Sequence, residues 1–274
     1  MTSPGAILHE LVNQPENWDF SGAERLFAGV DLGTYKAITI VVDETGRPRA
    51  ARMRRAEVVR CGLIVDYAGA QKIVREMIEE MRKAAPLAID QGATSYPPQT
   101  EHANIDATRY LLEGAGLEVL AVLDEPSAAN QVLQLKNAAI VDVGGGTTGI
   151  AVIQNGAIVF TDDEATGGVH LSLVVAGNRK ISYEEAEQIK IDPARSREIL
   201  PVVRPVIEKI ASIADACLRN FDNLTEICLV GGTCELAGFE AIVQKTLHLK
   251  TYRPEHPQFI TPLGIALSCL DENE

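Results

Sequence analysis

Apolar and polar positions follow a short period in two stretches of the chain and a helical period around them. Gly29-Val30-Asp31-Leu32-Gly33-Thr34 leads into the β-branched run Ala37 to Val42 and a Glu44-Thr45-Gly46 turn. Ala138 to Val143 leads through glycines into Thr147 to Ile153, then Asn155-Gly156, then Ala157 to Phe160. Both stretches predict strand, glycine turn, strand, tight turn, strand.

Elsewhere the spacing predicts helices. Ile73, Met77, Ile78 and Met81 mark a helix over 68–84, and Ile105, Thr108, Leu111 and Leu112 one over 100–115 ended by Gly114 and Gly116. Strands are expected over 87–96, stopped by Pro97-Pro98, and over 117–123, before a helix that starts at Asp124-Glu125-Pro126. Thr166-Gly167-Gly168 opens a helix over 169–176, and Ser182 with Glu185 forms a capping box for a helix through Lys190. Ile199, Val203, Val206, Ile210, Ile213 and Cys217 mark a long helix whose regular part Pro201 and Pro205 confine to later turns, or which they kink. A strand over 226–230 ends in Gly231-Gly232-Thr233, with a helix from Ala237. Ahead of the first strand, Ile7, Leu8, Leu11 and Val12 mark a short amphipathic helix; it reads as packed on the body, as a frayed end, or as a docking peptide.

The glycines carry the candidate chemistry. Gly144, Gly146 and Gly149 match GxGxxG, with Asp162 and Asp163 at a distance suited to a ribose contact. A dinucleotide site needs a helix after those glycines, whereas residues 147–153 are β-rich, so a hydride-transfer enzyme ranks last. In a hairpin the glycines bring backbone N–H groups against phosphate oxygens, and Thr147 and Thr148 add hydroxyl donors. Asp142 ends the preceding strand, and a carboxylate beside polyphosphate repels it unless Mg²⁺ lies between, which points to MgATP. Asp31, Gly33 and Thr34 repeat the pattern about 110 residues earlier, as a duplicated domain would. Gly231 and Gly232 would let backbone lie flat against adenine or ribose; an ordinary connection is the other reading. Glu125 reads either as a residue that reaches the nucleotide or as a helix cap.

The 274 residues suit two lobes of roughly 100 to 150 residues each. The expected division is an N-terminal extension over 1–28, lobe I over 29–137, lobe II over 138–258, and over 259–274 a C-terminal connecting helix returning to lobe I. A formal charge of -13 argues against nucleic acid as a partner. No apolar run reaches about 18 residues and no basic-then-apolar leader opens the chain, so neither a membrane span nor a signal peptide is expected and the cytoplasm is the simplest location. Cys61, Cys217, Cys228, Cys234 and Cys269 lack CxxC pairing and read as reduced core thiols; no HExxH marks a transition-metal site.

With those residues in place, the chain resembles the actin, DnaK-chaperone and sugar-kinase superfamily of ATPases over almost its whole length after residue 28. GVDLGT and IVDVGGGTTGIAVI are similar to its two phosphate motifs, EPSAAN and ITPLGIALS to its connecting motifs, and CLVGGTCELAGF to its adenosine motif. Within it, the run DEATGGVHLSLVVAGNRKISYEEAEQIK and SYPP resemble chaperone-like proteins of ethanolamine-utilisation operons. The resemblance implies an α/β, two-lobed, actin-like (ribonuclease H-like) ATPase fold, each lobe a mixed sheet flanked by helices, with reduced peripheral subdomains.

It also implies residue roles. Asp31 and Asp142 would hold hydrated Mg²⁺, while Gly33, Thr34, Gly144, Gly145, Gly146, Thr147 and Thr148 cradle the phosphates of ATP or ADP. Gly167 and Gly168 match a third phosphate loop, Glu187 and Lys190 adenosine contacts, and Glu125 the residue that orients attacking water; Lys36 reads as a phosphate ligand or a solvated strand lysine. Chaperones carry an acidic residue after that third loop, where this chain has Val169-His170-Leu171, so slow hydrolysis is expected. A separate peptide-binding domain like that of DnaK is not expected, so a client would bind the ATPase body or the N-terminal segment. The implied role is a weak Mg-dependent ATPase that assembles or maintains a bacterial microcompartment, with a shell protein or an ethanolamine-degrading enzyme as partner. A nucleotide-dependent homo-oligomeric scaffold or filament, a small-molecule kinase and a non-hydrolysing adaptor are the alternatives.

Overall fold

The computed structural model describes residues 3–60 and 62–271, so Cys61 and the last three residues of the expected C-terminal segment lie outside the described residues. The chain divides into two compact units, one made of Met1–Gln134 with Phe259–Glu274 and the other of Leu135–Gln258.

Helix α1, Pro4–Asn13, is capped by the Ser3 hydroxyl, which accepts from the Ala6 N–H at 3.1 Å. It buries Leu8 and Leu11 in the core of the first unit, a gain of about 1.5–3 kcal/mol for each side chain, so here the packed reading holds. Strands β1 (Leu26–Leu32), β2 (Lys36–Asp43) and β3 (Pro48–Arg55) form an antiparallel meander. A two-residue ribbon, β4 (Val59–Arg60) with β5 (Leu63–Ile64), precedes α2 (Tyr67–Ala84). Then come β6 (Gln91–Tyr96), α3 (His102–Gly114), β7 (Glu118–Asp124) and α4 (Glu125–Leu133). β6 starts four residues later than the expected strand, because residues 87–90 lie outside the sheet while Leu87 still packs on the core. The sheet order is β3-β2-β1-β6-β7, with β1, β6 and β7 parallel.

The second unit repeats this plan. β8 (Ala138–Val143), β9 (Thr148–Gln154) and β10 (Ala157–Glu164) form the meander. Asn155 and Gly156 both adopt positive φ between β9 and β10, as a tight hairpin turn requires. After α5 (Gly168–Arg179), α6 (Tyr183–Ile191) and α7 (Ser196–Leu218) come β11 (Glu226–Val230), α8 (Phe239–Leu247) and β12 (Thr251–Tyr252). The order β10-β9-β8-β11-β12 matches that of the first sheet, with β8, β11 and β12 parallel. Alternation explains the layering: Ala139, Val141 and Val143 of β8, Ile150 and Val152 of β9, and Ile227 and Leu229 of β11 turn one face toward a core shared with α5, α7 and α8. Asp142 therefore lies on the opposite face.

Two helices differ from expectation. α7 begins at Ser196 and runs through both prolines, so of the two expected outcomes confinement to later turns does not occur. Pro201 and Pro205 are exposed, whereas Ile199, Val203, Val206, Ile207 and Ile210 are buried, so packing of the inner face holds the helix against the proline penalty. α8 starts at Phe239, because residues 232–235 take a 3₁₀ turn first. The chain ends in α9, Ile260–Asp271, whose Leu263, Ile265, Ala266 and Cys269 join the core of the first unit.

Candidate phosphate-binding site

Both glycine hairpins close in the same way. The Gly33 N–H donates to the Lys36 carbonyl at 3.0 Å, and the Gly144 N–H donates to the Thr147 carbonyl at 3.0 Å. In each case the turn follows a strand that carries an aspartate two residues earlier: Asp31, half-buried on β1, and Asp142, 8 % exposed on β8. Asp31, Gly33, Thr34 and Lys36 thus occupy one turn region of the first unit, where Thr34 and the side chain of Lys36 are half-buried.

The second unit brings its predicted residues close together around Gly144. The Gly144 carbonyl accepts from the Gly168 N–H at 3.0 Å and from the Thr233 hydroxyl at 2.8 Å; the Gly145 carbonyl accepts from the Val169 N–H at 2.8 Å. Three separate turns therefore meet, and glycine allows it. A Cβ on Gly167 would stand 2.8 Å from the Gly144 carbonyl oxygen. Gly231 has φ +88°, and a Cβ there would lie 2.4 Å from Asp142 Oδ1. Gly232 opens the 3₁₀ turn beyond it. The N–H groups of Gly167 and Gly168 are already committed, the former to His170 Nδ1 at 3.2 Å. These glycines brace the hairpin, and His170 caps α5 where chaperones have an acid.

Thr148 departs from expectation. Its side chain is fully buried and its hydroxyl donates to the Thr166 carbonyl at 2.6 Å, which leaves it no direction toward a ligand. Thr147 is partly exposed at the turn, and its hydroxyl hydrogen-bonds the Asp163 side chain. Glu187 also turns inward: it is 2 % exposed, accepts a hydrogen bond from the Ser172 hydroxyl, and pairs with Lys190 Nζ at 2.7 Å. Lys190 Nζ donates as well to the Gly168 carbonyl at 3.0 Å. Burial pulls the Lys190 pKa below its ordinary value, against the opposing pull of Glu187. The pair therefore supports the loop from behind. In the first unit the cap of α4 is Asp124, whose carboxylate accepts from the Ser127 N–H at 2.9 Å and hydroxyl at 2.6 Å. Glu125, half-buried at the first helical position, is not the cap.

Sequence reasoning missed Asp163 as a neighbour of Asp142. Burial pushes its carboxyl up to about 6; a hydrogen bond from Thr147 opposes this, and Asp142, Asp162 and Glu164 add to it. Asp163 Oδ1 is buried without a hydrogen-bond partner. An orphaned carboxylate oxygen close to a second carboxylate is the donor chemistry a hard divalent cation takes, so these residues suit Mg²⁺. The thiols carry no such chemistry: burial pushes Cys228 and Cys269 up to about 12, and Cys217 up to about 11. Among the described residues no helix is long and apolar enough to cross a membrane.

Comparison with known proteins places the chain by family and by fold. A family model described as type IV pilus assembly protein PilM matches residues 101–256. Ethanolamine utilization protein EutJ of Escherichia coli K12 is 43% identical over 251 residues, covering 91% of this chain and 88% of that protein. The crystal structure of EutJ from Carboxydothermus hydrogenoformans superposes with a TM-score of 0.90 at 45% identity, with 95% of each chain covered. MreB5 of Spiroplasma citri bound to ADP gives a TM-score of 0.70 at 17% identity, covering 88% of this chain and 95% of that one, a likeness of fold alone. The fold is thus the α/β actin-like ATPase fold, with two mixed sheets flanked by helices.

Proposed function

The chain belongs to the EutJ family of ethanolamine utilization proteins and matches the PilM family model, and on that footing we propose that it is a MgATP-dependent, chaperone-like protein of ethanolamine utilisation. The observation that carries the nucleotide reading is the repeated hairpin: an aspartate, a glycine turn closed by the same hydrogen bond, and a threonine, once in each unit. Asp31 in the first unit and Asp142 in the second are each a carboxylate suited to hydrated Mg²⁺, which when bound would neutralise phosphate charge. Gly33, Thr34, Gly144, Gly145, Gly146 and Thr147 offer backbone and hydroxyl donors to phosphate, with Lys36 beside the first turn. Gly167, Gly168, Glu187 and Lys190 keep the second hairpin in shape, and Gly231 and Gly232 leave the adenosine turn free of side chains. Glu125 orients the attacking water, a task that needs alignment more than covalent chemistry.

The protein acts in the cytoplasm on a microcompartment shell protein or an ethanolamine-degrading enzyme, as the family name and the ATPase fold together support. Calorimetry tests the nucleotide step: the wild type binds MgATP, and Asp142→Ala weakens binding at least about tenfold, or 1.4 kcal/mol. A wild type that binds no MgATP overturns the reading. Capture of shell proteins or ethanolamine-degrading enzymes, with ADP and with ATP, tests the partner; recovery of neither class in either state removes the chaperone role.

A further inference from the structure

Register places three residues in one row across the second sheet. Asp142 of β8 stands opposite Gly149 of β9, and Gly149 stands opposite Asp163 of β10. Directly opposed residues of antiparallel strands point their side chains to the same face, so both carboxylates leave the sheet on the side away from the helical core. Two strand spacings separate their backbones by about 10 Å, and the residue between them has no side chain. The row exists because β10 bulges between Ile158 and Phe160, which advances the pairing by one residue. Thr147, on the phosphate turn, hydrogen-bonds the Asp163 side chain, yet Asp163 Oδ1 is left buried and unpaired. An unpaired buried oxygen is costly unless something fills the position when the protein is at work.

We propose that Asp163 is a positioning residue for the nucleotide's metal, holding the water shell of Mg²⁺ from the side of Gly149 opposite Asp142. This rests on the MgATP reading and adds to it a residue that lies outside the phosphate motifs. The spacing suits an ion that keeps several waters, whereas direct ligation by both carboxylates would demand oxygens at 2.0–2.1 Å from a single centre. Asp163 holds waters in place and does not itself enter the reaction. The gap over Gly149 is the room those waters need.

The test compares binding of MgATP with binding of ATP in excess EDTA, by calorimetry, for the wild type, Asp163→Asn and Asp163→Glu. The expected result is a loss of MgATP affinity in Asp163→Asn of about ten- to a hundredfold, no loss for metal-free ATP, and partial recovery in Asp163→Glu. Electron paramagnetic resonance of Mn²⁺ with ATP supplies a second readout, with the bound-ion signal weakened in Asp163→Asn. Removing the charge relieves repulsion, so Asp163→Asn is expected to fold. A wild type that binds no MgATP overturns the nucleotide reading itself. Normal MgATP binding by Asp163→Asn, or an equal loss with and without metal, overturns this inference alone.

Discussion

Lys190 Nζ lies 2.7 Å from Glu187 Oε2, and the same ammonium reaches the Gly168 carbonyl, which ties α6 to the first turn of α5. A buried ion pair is worth little against a well-packed apolar substitute, but breaking one side of it is expensive. Lys190→Met is expected to lower stability by about 3–5 kcal/mol, because it strands the Glu187 carboxylate. The double change Glu187→Leu with Lys190→Met should recover most of that loss in urea denaturation. Additive losses would show that the pair is not coupled.

Gly231→Ala should be among the least tolerated single-methyl changes in the second unit. The backbone conformation at φ +88° costs an alanine about 1–3 kcal/mol, and the new carbon would also stand 2.4 Å from Asp142 Oδ1 and 2.5 Å from the Val143 carbonyl oxygen. The urea midpoint is expected to fall and MgATP affinity with it, since Asp142 must move. An unchanged midpoint would mean that the turn can shift freely.

The pH dependence of stability should carry the mark of Asp163. Its carboxyl is raised from 3.8 to about 6 in the folded chain, so the folded state holds the proton over a range where the unfolded state has released it. Stability therefore falls as pH rises between about 4 and 6 and levels off above, in the absence of divalent cations. Asp163→Asn lacks this loss. Its urea midpoint, measured in EDTA, should gain on that of the wild type across this window; parallel profiles would contradict the assignment.

Pro205 is exposed in the interior of α7, where it removes one helical hydrogen bond without filling the core. Proline in a helix interior is about 3 kcal/mol less favourable than alanine, so Pro205→Ala is expected to raise stability by about 1–3 kcal/mol. A fall in the thermal midpoint would show that the path of α7 depends on the ring.

Local periodicity made most of the fold legible. The two meanders, the capping box at Ser182 and the choice of hairpin over dinucleotide turn all follow from residues within about ten positions of one another. What escaped depends on longer-range facts. Read outward from the Asn155-Gly156 turn, a regular hairpin sets Asp162 opposite Gly149; the bulge between Ile158 and Phe160 substitutes Asp163 and turns Asp162 toward Cys217 instead. The burial of Thr148 depends on which face of β9 meets the helices, and alternation alone leaves that open. The helix through both prolines reflects tertiary packing that overrides local propensity.

The placement of α9 bears on how the chain is made. Leu135–Gln258 is a continuous stretch, whereas the first unit takes Phe259, Leu263, Ile265, Ala266 and Cys269 into the core that holds Phe27, Ile38 and Ile40. On a ribosome the second unit is therefore complete while the first, although synthesised earlier, still lacks part of its interior. The nascent protein must carry an unfinished apolar surface until α9 emerges, so a chain stalled before Phe259 would expose Phe27, Ile38 and Ile40 to aggregation.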